Sequence, residues 1–127
     1  MSYKLGPRSV ARLKGVHEDL VKVVERAIQI THVDFTVLEG LRDPLRQRKL
    51  VEAGASQTMN SRHLTGHAVD LGAWVDEEVR WDWPLYHKIA QAMKAAAAEM
   101  NVPIVWGGDW RTFKDGPHFE LDRRKYP

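Results

Sequence analysis

The chain has 127 residues, 43% of them hydrophobic, which suits one domain with a real core and excludes a disordered polymer. A formal net charge of +2 falls well short of the basic stripe of a nucleic-acid binder, even with a sequence pI of about 9.0. There is no cysteine, so disulfides and thiolate metal sites are excluded and any metal must be held through nitrogen and oxygen. The N-terminal Met-Ser-Tyr-Lys-Leu-Gly-Pro-Arg has no apolar core of signal-peptide length, and no apolar run is long enough to cross a bilayer. The protein is therefore expected to be made in the cytoplasm, to insert into no membrane and to carry no export signal of its own. Nothing demands more than a monomer.

In chain order, Leu20, Val23, Val24, Ala27 and Ile28 fall at helical spacing and predict a helix over about 16–31. Asp34 to Leu41 reads as a strand, with Phe35, Val37, Glu39 and Leu41 on one face. Asp43-Pro44 opens the next helix, since Asp is a good N-cap and Pro fits the first turn; Gly54 ends it. Residues 54–66 are polar and turn-rich, hence a loop. A strand is expected over 67–74, a charged turn from Asp76 to Trp83, and a long helix from Pro84 to Met100 with Leu85, Ile89, Ala92, Met93 and Ala96 inward. A short strand, 102–106, stops at Gly107-Gly108, and a last strand, 117–121, carries His118 and Glu120 on one face. Arg123-Arg124-Lys125 reads as a solvated tail. The order predicts an α+β fold, a single domain in which a small, mostly antiparallel sheet packs against helices.

Two segments carry chemistry. Ser61-Arg62-His63-Leu64-Thr65-Gly66-His67-Ala68-Val69-Asp70 offers imidazoles and a carboxylate, and Asp115-Gly116-Pro117-His118 offers one more of each. Asp70 falls in the middle of an apolar strand, where a carboxylate is costly to bury without a partner. Two imidazoles, one carboxylate and a second carboxylate nearby form the inventory of a mononuclear zinc hydrolase, in which three ligands leave a position open for water. Spacing alone supports this and an ordinary structural role for the same residues about equally. His63 and His67 would pair on a helix, but Leu64 follows His63 where a zincin has Glu, and Thr65-Gly66 disfavours helix. His67 is therefore read as structural or as support for a ligand, and His17, His32 and His87 as solvent-facing. Trp74, Trp81 and Trp83 are expected to pack around the charged turn.

The segment 61–70 matches the pattern Ser-x-His-x-x-Gly-x-Ala-x-Asp at all five fixed positions. With the downstream His118, it resembles the LAS-type zinc peptidases, which include D-alanyl-D-alanine carboxypeptidases and dipeptidases of the VanY-like superfamily and phage L-alanyl-D-glutamate endolysins. Glu39-Gly40-Leu41-Arg42 and Trp106-Gly107-Gly108-Asp109-Trp110 extend the likeness over most of the chain. The resemblance implies one zinc ion held by His63, Asp70 and His118, with Asp115 as the catalytic carboxylate. It implies that Arg42, otherwise readable as a salt-bridge partner of Asp43 or Glu39, stabilises the developing oxyanion. Ser61 and Trp110 are expected to contact substrate.

The carboxypeptidase and dipeptidase branches usually carry Glu-x-x-His, whereas this chain has Asp-Gly-Pro-His. The shorter acid resembles the endolysin branch and implies hydrolysis of the L-alanyl–D-glutamate bond of the peptidoglycan stem peptide. A D-alanyl-D-alanine carboxypeptidase or dipeptidase, or a non-catalytic zinc-binding module, is the alternative. The endolysin likeness also implies residence in the host cytoplasm until a holin opens the inner membrane, and one zinc peptidase domain, residues 1–127, without a separate wall-binding domain.

Overall fold

The apolar stripe of Leu20, Val23, Val24, Ala27 and Ile28 is buried along α2 (Glu18–Ile30) in the computed structural model, which describes residues 2–127. That helix packs along α4 (Trp83–Met100), whose Ile89, Met93 and Ala96 are buried and which also lies against the sheet. The expected α+β architecture is what forms: among the described residues, four α-helices on an antiparallel sheet of five strands. Its order is β1 (Phe35–Glu39), β2 (Ala68–Val75), β5 (His118–Leu121), β4 (Ile104–Trp106), with β3 (Glu78–Arg80) on the far end of β2. Val37, Val69, Leu71, Phe119 and Leu121 fill the helix-facing side. Asp70 and His118, cross-strand partners on β2 and β5, therefore share the opposite face.

Two short elements were not legible in the periodicity. α1 (Pro7–Arg12) is only six residues long, too short for a helical period to emerge. It docks on the edge strand β1: the Val37 N–H donates to Ser9 Oγ (2.9 Å), and Arg12 Nη1 donates to the Val37 carbonyl (2.9 Å). Side chains thus satisfy backbone groups that an edge strand otherwise presents to solvent. The charged turn contains β3, joined to β2 by Asp76-Glu77. Both have positive φ (53° and 66°), as primed hairpin turns require, but without the Gly that usually signals them. Trp74 and Trp81 beside this hairpin are exposed rather than packed, and Trp83 remains 42% exposed while meeting Tyr86 edge-on.

Strict alternation also fails in β1. The register slips between Val37 and Glu39, so Glu39 becomes the partner of Asp70. One bulge thereby turns Glu39 away from the core side that alternation assigned to it and toward the open face. On the other side of the site, α3 (Pro44–Glu52) begins as expected, with Asp43 Oδ1 accepting from the Arg46 N–H at 2.8 Å.

The 62–66 loop is a 3₁₀ turn, Arg62–Thr65, closed by Gly66 at φ +74°. A Cβ on Gly66 would collide with the Gly15 carbonyl, while the Gly66 carbonyl accepts from His17 N–H at 2.8 Å. Gly54 has a similar φ of +78° but open space around it. Gly54→Ala is expected to cost roughly 1–2 kcal/mol through the left-handed backbone alone. Gly66→Ala adds an overpacking cost of about 1–3 kcal/mol to a similar penalty. Urea denaturation of the two variants should show the larger loss at Gly66.

Candidate metal centre

His63 leaves the 3₁₀ turn, Asp70 stands in β2 and His118 opens β5. One ligand atom from each lies within 4.8 Å of the other two. Asp70 Oδ1 is 3.2 Å from His63 Nε2 and 3.2 Å from His118 Nδ1. The far nitrogen of each ring is already engaged: His63 Nδ1 meets the Gly40 carbonyl at 2.8 Å, and His118 Nε2 meets Glu120 Oε1 at 2.8 Å.

These outer bonds determine what the cluster wants. A carbonyl and a carboxylate only accept, so His63 carries its proton on Nδ1 and His118 carries one on Nε2. Each ring then turns a lone pair toward Asp70, itself an acceptor. Three acceptors converging on one point repel unless a positive centre joins them. A proton is one such centre: burial alone would lower His118, but its bonds to Asp70 and Glu120 outweigh that and push it up to about 9. Burial would likewise raise Asp70, but His118 and His63 hold its carboxyl well below the usual carboxylate range. A metal ion is the other such centre, and proton and metal compete for the same nitrogen. Two imidazoles and a carboxylate, with both rings oriented from behind, suit a divalent ion such as zinc.

Asp115 stands apart from this cluster but lines the same cleft, a concavity of about 810 Å³. Burial, then the charge of Asp70, raises its carboxyl above the ordinary value. Its placement depends on close backbone approach. The Asp115 N–H donates to the Gly107 carbonyl (3.0 Å), and a Cβ on Gly107 would strike the Asp115 carbonyl. Buried Trp106 fixes the next residue through Nε1–H to the Gly116 carbonyl, at 2.7 Å.

Arg42 takes Glu39, one of its two expected ion-pair partners, and also reaches into the cleft. It pairs with Glu39, as a structural arginine would, and its Nη2 is 3.6 Å from Asp70 Oδ2 at the cleft floor. Ser61 lines the cleft, but its Oγ accepts from the His63 N–H at 3.2 Å, so it also caps the turn that carries His63. The Trp110 ring lies 5.1 Å from that of His118 and forms part of the wall. His67 is outside the cluster: its Nδ1 meets Thr65 Oγ1 at 2.6 Å and its ring faces His17. His17 is not simply solvent-facing, because its Nδ1 accepts from Asp19 N–H at the start of α2.

Two contributors escaped sequence reasoning. Glu120 was placed on the His118 face by alternation, but its bond to the ring was not foreseen. Gln47, fully buried, accepts from Arg42 Nη1 (2.7 Å) and donates to Ser56 Oγ (2.8 Å), tying the arginine to the 54–60 loop. Its signal was a lone amide among Arg46, Arg48 and Lys49, too weak to single out.

The family model for phage L-alanyl-D-glutamate peptidase matches residues 1–125. The L-alanyl-D-glutamate peptidase of Escherichia phage T5 is 29% identical over 130 residues, covering 99% of this chain and 94% of that protein. That of Listeria phage A118 is 34% identical over 94 residues, 74% of this chain but only 32% of the relative. The crystal structure of Serratia marcescens L-Ala D-Glu endopeptidase ChiX superposes with a TM-score of 0.91 at 52% identity, covering 95% of this chain and 91% of the other. With a match across nearly its whole length and a ligand-like triad where the Ser-x-His-x-x-Gly-x-Ala-x-Asp segment meets its downstream histidine, the chain belongs to the phage L-alanyl-D-glutamate peptidase family.

Proposed function

We propose that the chain is a zinc-dependent peptidoglycan endopeptidase that hydrolyses the L-alanyl–D-glutamate bond of the stem peptide and so lyses the bacterial host. The observation that carries this reading is the convergence of three acceptor atoms, from His63, Asp70 and His118, in a cleft that also holds a separate carboxylate, Asp115. The names of the relatives supply the bond. The same reading makes residues 1–127 one zinc peptidase domain acting as a monomer. It reaches the periplasmic wall through a membrane opened by a holin-type partner; among the described residues, no helix is long and apolar enough to cross that membrane.

His63, Asp70 and His118 would hold the zinc. When bound, zinc supplies Lewis acidity, lowering the pKa of water toward about 7 and polarising a carbonyl. The protein's own groups do the rest. Asp115 takes a proton from the attacking water and returns it to the leaving amine of D-glutamate. Its raised carboxyl suits that exchange, because a base works best when its affinity for the proton lies nearer the working pH. Arg42, held by Glu39 and Gln47, presents a fixed guanidinium to the oxygen that becomes negative as the carbonyl is attacked. Ser61 and Trp110 line the cleft where the peptide lies. Glu120 keeps the His118 ring turned with Nδ1 inward.

Digestion of purified sacculi, followed by mass spectrometry, tests the bond. New N-terminal D-glutamate is expected; release of free D-alanine or D-Ala-D-Ala would overturn the assignment. Asp115→Asn should lower kcat by about 10²–10⁴-fold while retaining stoichiometric zinc. His118→Ala should lose zinc itself, and full lysis by a metal-stripped preparation would refute the metal requirement. Glu120→Ala should weaken zinc affinity by roughly tenfold or more, read by competition with a chelator.

A further inference from the structure

Five cationic side chains line the cleft: Arg42, Arg46, Arg62, Lys114 and Arg123. Three are committed. Arg42 and Arg46 both bind Glu39, and Arg62 donates to the carbonyls of Leu121 and Tyr126. Lys114 has no hydrogen bond or ion pair among the described residues. Arg123 has a single long ion pair, Nε to Glu120 Oε2 at 3.6 Å, and its side chain is 61% exposed. The other Glu120 oxygen is taken by His118 at 2.8 Å, and His118 reaches Asp70 at 3.2 Å. Arg123 therefore sits one carboxylate away from the ligand cluster, with both terminal nitrogens of its guanidinium uncommitted. Arg123 keeps the solvent exposure expected of the tail Arg123-Arg124-Lys125, yet it also borders the cleft. Arg124, by contrast, folds back on Asp122 and is not among the cleft-lining side chains.

The substrate supplies the missing anion. In an L-alanyl–D-glutamate stem peptide the chain continues through the γ-carboxyl of D-glutamate. Its α-carboxylate is left free, two bonds from the scissile nitrogen, so this charge enters the cleft with the bond to be cut. The cleft already contains Glu39, Asp70, Asp115 and Glu120, and a further unpaired carboxylate there would be repelled. A guanidinium fork matches a carboxylate in shape and can donate two parallel hydrogen bonds.

We infer that Arg123, assisted by Lys114, forms a subsite for the free α-carboxylate of D-glutamate and makes the enzyme select that residue over its amide, D-isoglutamine. The inference rests on the L-alanyl–D-glutamate reading. A second carboxylate, on the third residue of the stem, has the same chemistry, and the test separates the two.

The experiment measures kcat/KM of the zinc-loaded enzyme on three synthetic stem peptides: one with both carboxylates free, one amidated at D-glutamate, and one amidated at the third residue. Wild type is expected to prefer the free D-glutamyl peptide over the isoglutaminyl peptide by about 10- to 100-fold, the range of a charge-assisted pair. Arg123→Gln should lower the rate on the free peptide and compress that preference to about threefold or less. Arg123→Lys should restore part of it, and Lys114→Gln should reduce it by a smaller factor. Titration of the same peptides into the Asp115→Asn holoenzyme should show the same preference in affinity. An equal loss on all three peptides in Arg123→Gln would mean a structural role only and would overturn the subsite. So would a preference that follows the third-residue carboxylate, or wild-type indifference to amidation. Failure of the wild type to cut any of the three would instead overturn the bond assignment, and the subsite with it.

Discussion

Three lone pairs meeting at one point are the constraint around which this small protein is arranged. Asp70 Oδ1 faces His63 Nε2 and His118 Nδ1 at 3.2 Å each, a meeting of acceptors that a proton or a metal ion placed between them relieves. The fold supports the arrangement from behind. The Gly40 carbonyl and the Glu120 carboxylate fix the two rings, the β2–β5 pairing sets Asp70 opposite His118, and the tight turn at Gly66 holds His63 in reach. The groups that orient the ligands are as much a part of the site as the ligands.

A division of labour between the two aspartates follows from the same geometry. Asp70 is held ionised by two imidazoles, which suits a ligand. Asp115 is surrounded by less compensation, and burial together with Asp70 pushes it the other way, which suits proton exchange. Two carboxyl groups of one residue type thus acquire opposite tendencies because one gained partners and the other kept a charged neighbour.

The main helices and strands were readable because their apolar periods run long enough to be unambiguous, as in Leu20 to Ile28. The convergence of His63, Asp70 and His118 on one point was foreshadowed because all three stand at fixed positions of a motif. What stayed hidden depended on contacts between distant segments. The bulge that turns Glu39 toward Arg42 arises from pairing with β2, not from the local sequence. Gln47 acquires its importance only when α3 lies beside the 54–60 loop, and Arg123 only when the chain after β5 borders the cleft. Short elements such as α1 and β3 are stabilised by docking and by backbone turn geometry rather than by propensity, so single-residue preferences had little to report.

The buried Arg62 has one further consequence. Its guanidinium reaches across 59 and 64 positions of sequence to the carbonyls of Leu121 and Tyr126, while the Tyr126 hydroxyl donates to Asp19 Oδ2 at 2.7 Å. Arg62 immediately precedes His63, so the segment after the last strand serves as a foundation stone for the first half of the candidate metal site. Damage there, whether a protease nick or a frayed end, would be felt at His63 and would register in an assay as an apparent catalytic lesion in a protein whose catalytic groups are all intact.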